Sequence, residues 1–173
     1  MAKENPHWQV ELPLEAQQRR ETFARFGLAA YEAQCVERQL GILLATTLNP
    51  RFFQSSPEER DRFFDTEFAK TLGQMLTALR ARTTLAPTLE PRLRQALELR
   101  NWLAHNYFGE RADSILSWDG RERMISELQE TADFLASVDV ELTTISEQWL
   151  QRAGISKKKI EVEMEKYKRG EDA

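Results

Sequence analysis

Very little in this sequence can hold a metal or form a disulfide. Cys35 is the only cysteine among 173 residues, so no disulfide closes within one chain and no multi-cysteine zinc site forms. The same scarcity fits a reducing, cytoplasmic setting. There are two histidines, His7 and His105. Neither belongs to a His-x-x-x-His pair or sits in a carboxylate cluster, which argues against a catalytic metal site. Seven glycines and six prolines supply too few turns for an all-β domain. No apolar run is long enough to cross a bilayer, and the N-terminal MAKENPHWQVELP lacks the apolar core and cleavage site of a secretory signal. The expectation is a protein neither secreted nor membrane-spanning. A nucleophile elbow and a glycine-rich phosphate loop are missing as well.

Positive charge is also scarce overall. The net charge of −4 argues against a general nucleic-acid coat protein, whose phosphate binding needs clustered Lys and Arg. The balance is uneven along the chain, however. Between residues 80 and 111, six arginines face three glutamates, a local +3 that leaves −7 for the rest. Most of those arginines are expected to solvate exposed helix faces. A content of 41% apolar and 30% charged residues is that of a globular domain large enough to bury its own core.

Residues 1–13 read as an extended lead-in closed by Pro13. Residues 14–47 have helical composition, with a stripe Phe23, Phe26, Ala30, Ala33, Glu37, Leu40, Leu44 in steps of three and four. Asn49-Pro50 ends this first helix. Ser56-Pro57-Glu58-Glu59 then combines an N-cap serine, a proline at the first helical position and a capping-box glutamate. A second helix with Phe64, Phe68, Leu72, Met75, Leu76 and Leu79 on its buried face is expected to run to the break at residues 83–87. The third is placed from about Thr88 to about Phe108, with Gly109 as its C-cap. The fourth follows Asp119-Gly120, with Asp119 as N-cap and the stripe Met124, Leu128, Thr131, Leu135, Val138, Leu142, Ile145, Trp149.

Two long and two shorter helices joined by short connections predict an all-α fold, an antiparallel, up-and-down four-helix bundle over residues 14–153. Residues 154–173 form a charged amphipathic tail. Ile160, Met164 and Tyr167 make so thin a stripe that it frays unless something docks against it.

One residue breaks the pattern of the third helix. Its core stripe reads Leu93, Ala96, Leu97, Arg100, Leu103, Ala104, Tyr107, which puts a guanidinium where a hydrocarbon is expected. An arginine taken out of water must be paired, and Glu37, the charged break in the first stripe, is its expected partner. At 100° per residue, Asn101 and His105 share one face and Arg100 flanks them. Histidine moves protons near neutrality, and arginine offers a fixed fork of donors to phosphate oxygens. Together they suit cleavage of an RNA phosphodiester without metal or other cofactor. One histidine cannot serve as acid and base on opposite sides of one phosphorus. Two copies related by a two-fold axis would supply two. On spacing alone, a paired arginine and a packed histidine with no chemistry at all are the better account of the segment.

The string Arg100-Asn101-Trp102-Leu103-Ala104-His105-Asn106-Tyr107 resembles the signature of the HEPN superfamily, small helical bundles marked by arginine, a polar residue and a nearby histidine. The long first helix and long closing helix fit the same frame over roughly residues 20–150. The resemblance implies a homodimer with a composite cleft and, in many members, metal-independent endoribonuclease activity in toxin-antitoxin or phage-defence modules. Arg100, Asn101 and His105 fall on the catalytic positions. In one toxin branch a tyrosine two residues after the histidine receives AMP from a partner nucleotidyltransferase antitoxin. Tyr107 stands at that place, although it also continues the apolar stripe. The alternative is a non-enzymatic bundle that binds a nucleotide or a partner protein such as that nucleotidyltransferase.

Overall fold

The computed structural model describes residues 12–49, 51–152 and 154. The expected lead-in and tail fall almost entirely outside them. The first helix, α1 (Leu14–Ile42), starts on Pro13, whose carbonyl accepts from the amides of Ala16 and Gln17. Proline cannot donate, so it stands naturally just before a helix. Residues Leu43–Thr47 continue α1 as a wider π turn. The Thr46 hydroxyl donates back to the Ile42 carbonyl at 2.7 Å there, a local bond that competes with the regular ladder.

The start signal at Ser56 is realised in full. Its hydroxyl accepts from the Glu59 amide, and the Glu59 carboxylate accepts from the Ser56 amide. The helix it opens, α2 (Pro57–Phe68), is only half the expected second helix. The chain turns at Ala69 and Lys70, and a second capping box, Thr71 with Gln74, opens α3 (Leu72–Arg82). Phe68, expected on a buried face, stays partly exposed against Gly41, where a Cβ would approach its ring to 2.6 Å.

That break decides the topology. The α2–α3 excursion returns the chain to the end of the bundle it had left, where the Arg82 guanidinium donates to the Leu44 carbonyl at 3.0 Å. The fourth helix, α4 (Leu89–His105), therefore runs back down beside α1: Arg100 meets Glu37, while Phe108, just beyond α4, meets Phe23. The closing helix, α6 (Trp118–Arg152), runs up again, parallel to α1. Gln18 bonds Glu122, Arg25 bonds Gln129 and Gln39 bonds Ser146 in the same order along both helices. An uninterrupted helix over residues 57–82 would have delivered the chain to the opposite end and made the first and last helices antiparallel. The molecule is an all-α bundle, but α1, α4 and α6 form its body and α2 with α3 cap one end. Among the described residues there is no strand, and no helix is long and apolar enough to cross a membrane.

The core lies between these three long helices. Val36, Leu40, Leu93, Ala96, Leu128, Leu135 and Leu142 are fully buried. The α6 stripe is as expected as far as Leu142; Ile145 packs at the margin and Trp149 is partly exposed. The α1 stripe is rotated by about one residue: Thr22, Ala29, Ala33, Val36 and Leu40 are buried, whereas Phe23 is 49% exposed. The expected stripe had followed the edge of α1 that faces α4.

Two expected caps are replaced. Gly109 does not end a helix but lies inside a short α5 (Tyr107–Glu110), because α4 already stops at His105 and Asn106. Asparagine is a poor helix former, and the kink there lets Tyr107 turn into the core. Asp119 sits within the first turn of α6. Ser117 caps in its place, its hydroxyl accepting from the Gly120 amide at 3.1 Å. A short 3-10 turn, Ser114–Leu116, crosses over that first turn. A Cβ on Gly120 would lie 2.0 Å from the Ser114 carbonyl oxygen, so only glycine fits.

Candidate functional site

Arg100 and Glu37 form the expected pair, with Nη2 3.5 Å from Oε2. Neither is sealed away. The Arg100 side chain is 34% exposed and that of Glu37 23%. The rotation of the α1 core explains this, since Glu37 sits on the edge facing α4 rather than in the central seam. The pair fastens α4 to α1 while leaving part of the guanidinium open to water. Arg100 Nη1 also donates to Asn101 Oδ1 at 3.4 Å. One edge of the fork is thereby oriented, and the remaining donors point to no acceptor among the described residues.

Asn101 and His105 are both exposed and one helical turn apart on α4. His105 is the last residue of that helix, and its ring has no hydrogen-bond partner among the described residues. Beside them runs a shallow groove of about 120 Å³ between α1 and α4, lined by Phe26, Ala30, Ala33, Gln34, Arg100, Leu103 and Ala104. Its floor is apolar and its rim carries Arg100 and Gln34. Gln34 was not singled out in the sequence, although it lies on the exposed side of α1 at the spacing that faces Arg100. The larger cavity of about 350 Å³ under α2, lined by Asn49, Phe63, Glu67 and Arg82 among others, is at the other end of α1. There Glu67 is buried, and Lys70 at 2.6 Å and Arg82 at 2.9 Å take both its oxygens.

Of the rest of the segment, Trp102, Leu103 and Tyr107 are packing. Tyr107 is 1% exposed and its hydroxyl donates to the Met124 carbonyl at 3.5 Å. Burial, with a contribution from the Glu127 carboxylate, pushes that hydroxyl well above the ordinary tyrosine range, against a smaller opposing pull from Arg111. A hydroxyl so placed is out of reach of a modifying enzyme in this conformation. Trp102 lies edge-on to Tyr107, and its indole N–H donates to Glu110 at 2.9 Å. Arg111 stacks over the Trp102 ring and grips Glu127 with two bonds of 2.9 and 2.6 Å. This clamp holds α5 against α4 and α6 and fixes the kink that follows His105. Leu103 is buried and Ala104 exposed.

The structure thus brings Arg100, Asn101 and Glu37 together, puts His105 one turn beyond Asn101 on the outward face of α4 and not in the groove that Arg100 lines, and sets Tyr107 apart in the core. Among the described residues no three or more His, Cys, Asp or Glu gather as metal ligands would. Comparison with protein-family models, with curated proteins and with solved structures gives no match.

Proposed function

We propose that the chain is a metal-independent endoribonuclease that works as a homodimer, with Arg100, Asn101 and His105 as its catalytic residues. The observation that carries this reading is the state of Arg100: a guanidinium held by Glu37 and by Asn101, the residue that shares the outward face of α4 with His105, yet still 34% exposed. An arginine that served only to close the core would be sealed, and a merely solvating one would not be held. The resemblance of RNWLAHNY to the HEPN signature supports the same assignment. The groove is too small for a free nucleotide, since small-molecule sites span roughly 300–1,000 Å³. A polymer lying across the open face suits it better.

In this reading the 2′-oxygen of a ribose attacks the adjacent phosphorus and the bond from phosphorus to the 5′-oxygen breaks, leaving a 2′,3′-cyclic phosphate. His105 takes the proton of the 2′-hydroxyl. His105 of a second copy, across a two-fold axis, gives a proton to the departing 5′-oxygen. Arg100 neutralises the charge that grows on the non-bridging oxygens, and the Asn101 amide orients them. A role as the toxin or effector of a toxin-antitoxin or phage-defence module accords with such an activity.

The test is cleavage of single-stranded RNA in EDTA. His105→Ala is expected to lower the rate by ~10²–10⁴, the usual worth of a general acid or base. Arg100→Ala should do the same with little loss of stability. Because the Arg100–Glu37 pair is partly exposed, its removal costs no more than ~1 kcal/mol, a shift of about 2–4 °C in Tm. Cleavage that survives both substitutions would refute the assignment.

A second reading, a non-enzymatic bundle that binds a partner protein, is favoured by one feature: the same pair also acts as a fastener between α1 and α4. It predicts that Arg100→Ala lowers Tm well beyond that range, and that no RNA is cut by the parent chain.

A further inference from the structure

One aromatic ring stands half open at the end of the α1–α4 face. Phe23 is 49% exposed, although burying it would be favourable. Its ring centroid lies 5.7 Å from that of Phe108, which in turn packs on Phe26 at 4.6 Å and Tyr107 at 5.3 Å. Phe23 is therefore backed by a fixed aromatic stack while the rest of its surface meets water.

Its position ties it to the proposed site. At 100° per residue, Phe23, Gly27, Gln34 and Arg38 share one exposed face of α1. Gly27 leaves open space in the middle, with nothing within 4 Å of where a Cβ would be. Phe23 lies about 10 Å along the helix from Ala30, which faces Ala104, the neighbour of His105, across the groove. The charged groups of this face are Arg20 and Arg38, both exposed, and Arg100, whose partner Glu37 is the carboxylate of the groove. Arg20 stands beside Phe23 at one end of the track, and Arg38 and Arg100 stand at the other.

We infer that Phe23 is the platform on which a base of single-stranded RNA stacks when the scissile phosphate lies at Arg100 and His105; the inference rests on the nuclease reading. Every base has a face that can stack on an aromatic ring, while Arg20 and Arg38 attract the phosphates. A duplex keeps its bases stacked inside and has none to offer. The chain is thus expected to select unpaired RNA by shape rather than by sequence.

The experiment measures fluorescence anisotropy of a labelled oligoadenylate on the full chain carrying His105→Ala, so that the strand survives. Adding Phe23→Ala is expected to weaken binding about tenfold, within the range known for one stacked base. Phe23→Trp should keep or tighten binding. A strand of abasic sugars should bind equally with or without Phe23→Ala. Equal affinity of the oligoadenylate for the Phe23→Ala and Phe23→Trp chains would overturn the inference, as would failure of any strand to bind at low salt. So would dissociation of dimers by Phe23→Ala in light scattering, since the ring would then be a contact between copies. Cleavage is measured separately with His105 intact. Phe23-dependent binding without cleavage removes the nuclease reading and leaves the platform. His105-dependent cleavage whose KM ignores Phe23→Ala removes the platform and leaves the nuclease.

Discussion

The hydroxyl of Tyr107 gives a direct measure of what this segment does for the fold. An unfolded tyrosine ionises near 10, and burial holds the folded one protonated well above that. Below pH 10 the group is neutral in both states and contributes no pH dependence. Above it the unfolded chain gains by losing the proton and the folded chain does not, so stability falls as pH rises. Tyr107→Phe is expected to cost at most ~1.5 kcal/mol at neutral pH, because the bond it removes is long. It should also flatten part of the alkaline decline. Urea melts on either side of pH 10 would show this, and an unchanged decline in the variant would count against it. At this scale the sequence was partly legible. Two charges interrupting two apolar stripes identified Arg100 and Glu37 as partners, and the stripe itself marked Tyr107 as core. What could not be read was the depth of the pair. A rotation of α1 by one residue moves Glu37 from the central seam to an edge, and several stripes of nearly equal apolarity fit the same helix.

The elements show where local signals compete. Ser56 and Glu59 announced α2 with unusual clarity, while Thr71 and Gln74 spell the same capping pattern inside what looked like one continuous helix. The apolar spacing from Phe64 to Leu79 runs straight through the break and conceals it. Each box is worth about 1 kcal/mol, so Thr71→Ala should lower stability by roughly that amount without restoring a single helix. The circular dichroism amplitude should fall slightly or hold; a marked gain in helicity would argue that the cap is what stops α2. The start of α6 allows a harsher test. Gly120→Ala forces a methyl group against the Ser114 carbonyl, and the expected loss is about 1–3 kcal/mol or more. Gly27→Ala, which meets nothing within 4 Å, should instead be neutral or slightly stabilising. Reversal of that order in thermal melts would contradict the packing at this turn. No motif in the sequence disclosed the role of Gly120, because it depends on a neighbouring turn crossing overhead.

For the molecule as a whole, helix content and core were readable and direction was not. Composition, periodicity and the Pro57 and Pro87 breaks sufficed for an all-α bundle, and the α6 stripe was legible almost to its end. The sense in which α6 passes α1 depends on how many times the chain crosses the bundle, which a single missed turn changes. Cross-linking checks the result. With Cys35→Ser, cysteines at Gln39 and Ser146, whose side-chain tips meet at 3.2 Å in the parent, are expected to be bridged readily by a short bis-thiol cross-linker. Cysteines at Gln18 and Ser146 should not be, since Gln18 bonds Glu122 near the other end of α6. Efficient bridging of the second pair would mean that the two helices are antiparallel.

The parallel course of α1 and α6 also has a mechanical side. Leu14 and Arg152 lie at opposite poles of the bundle, so a force applied between them pulls the two helices along their shared axis in opposite senses. Their interface is then loaded in shear, with contacts from Gln18 to Gln39 resisting together. Antiparallel helices held at one pole would instead unzip one contact at a time.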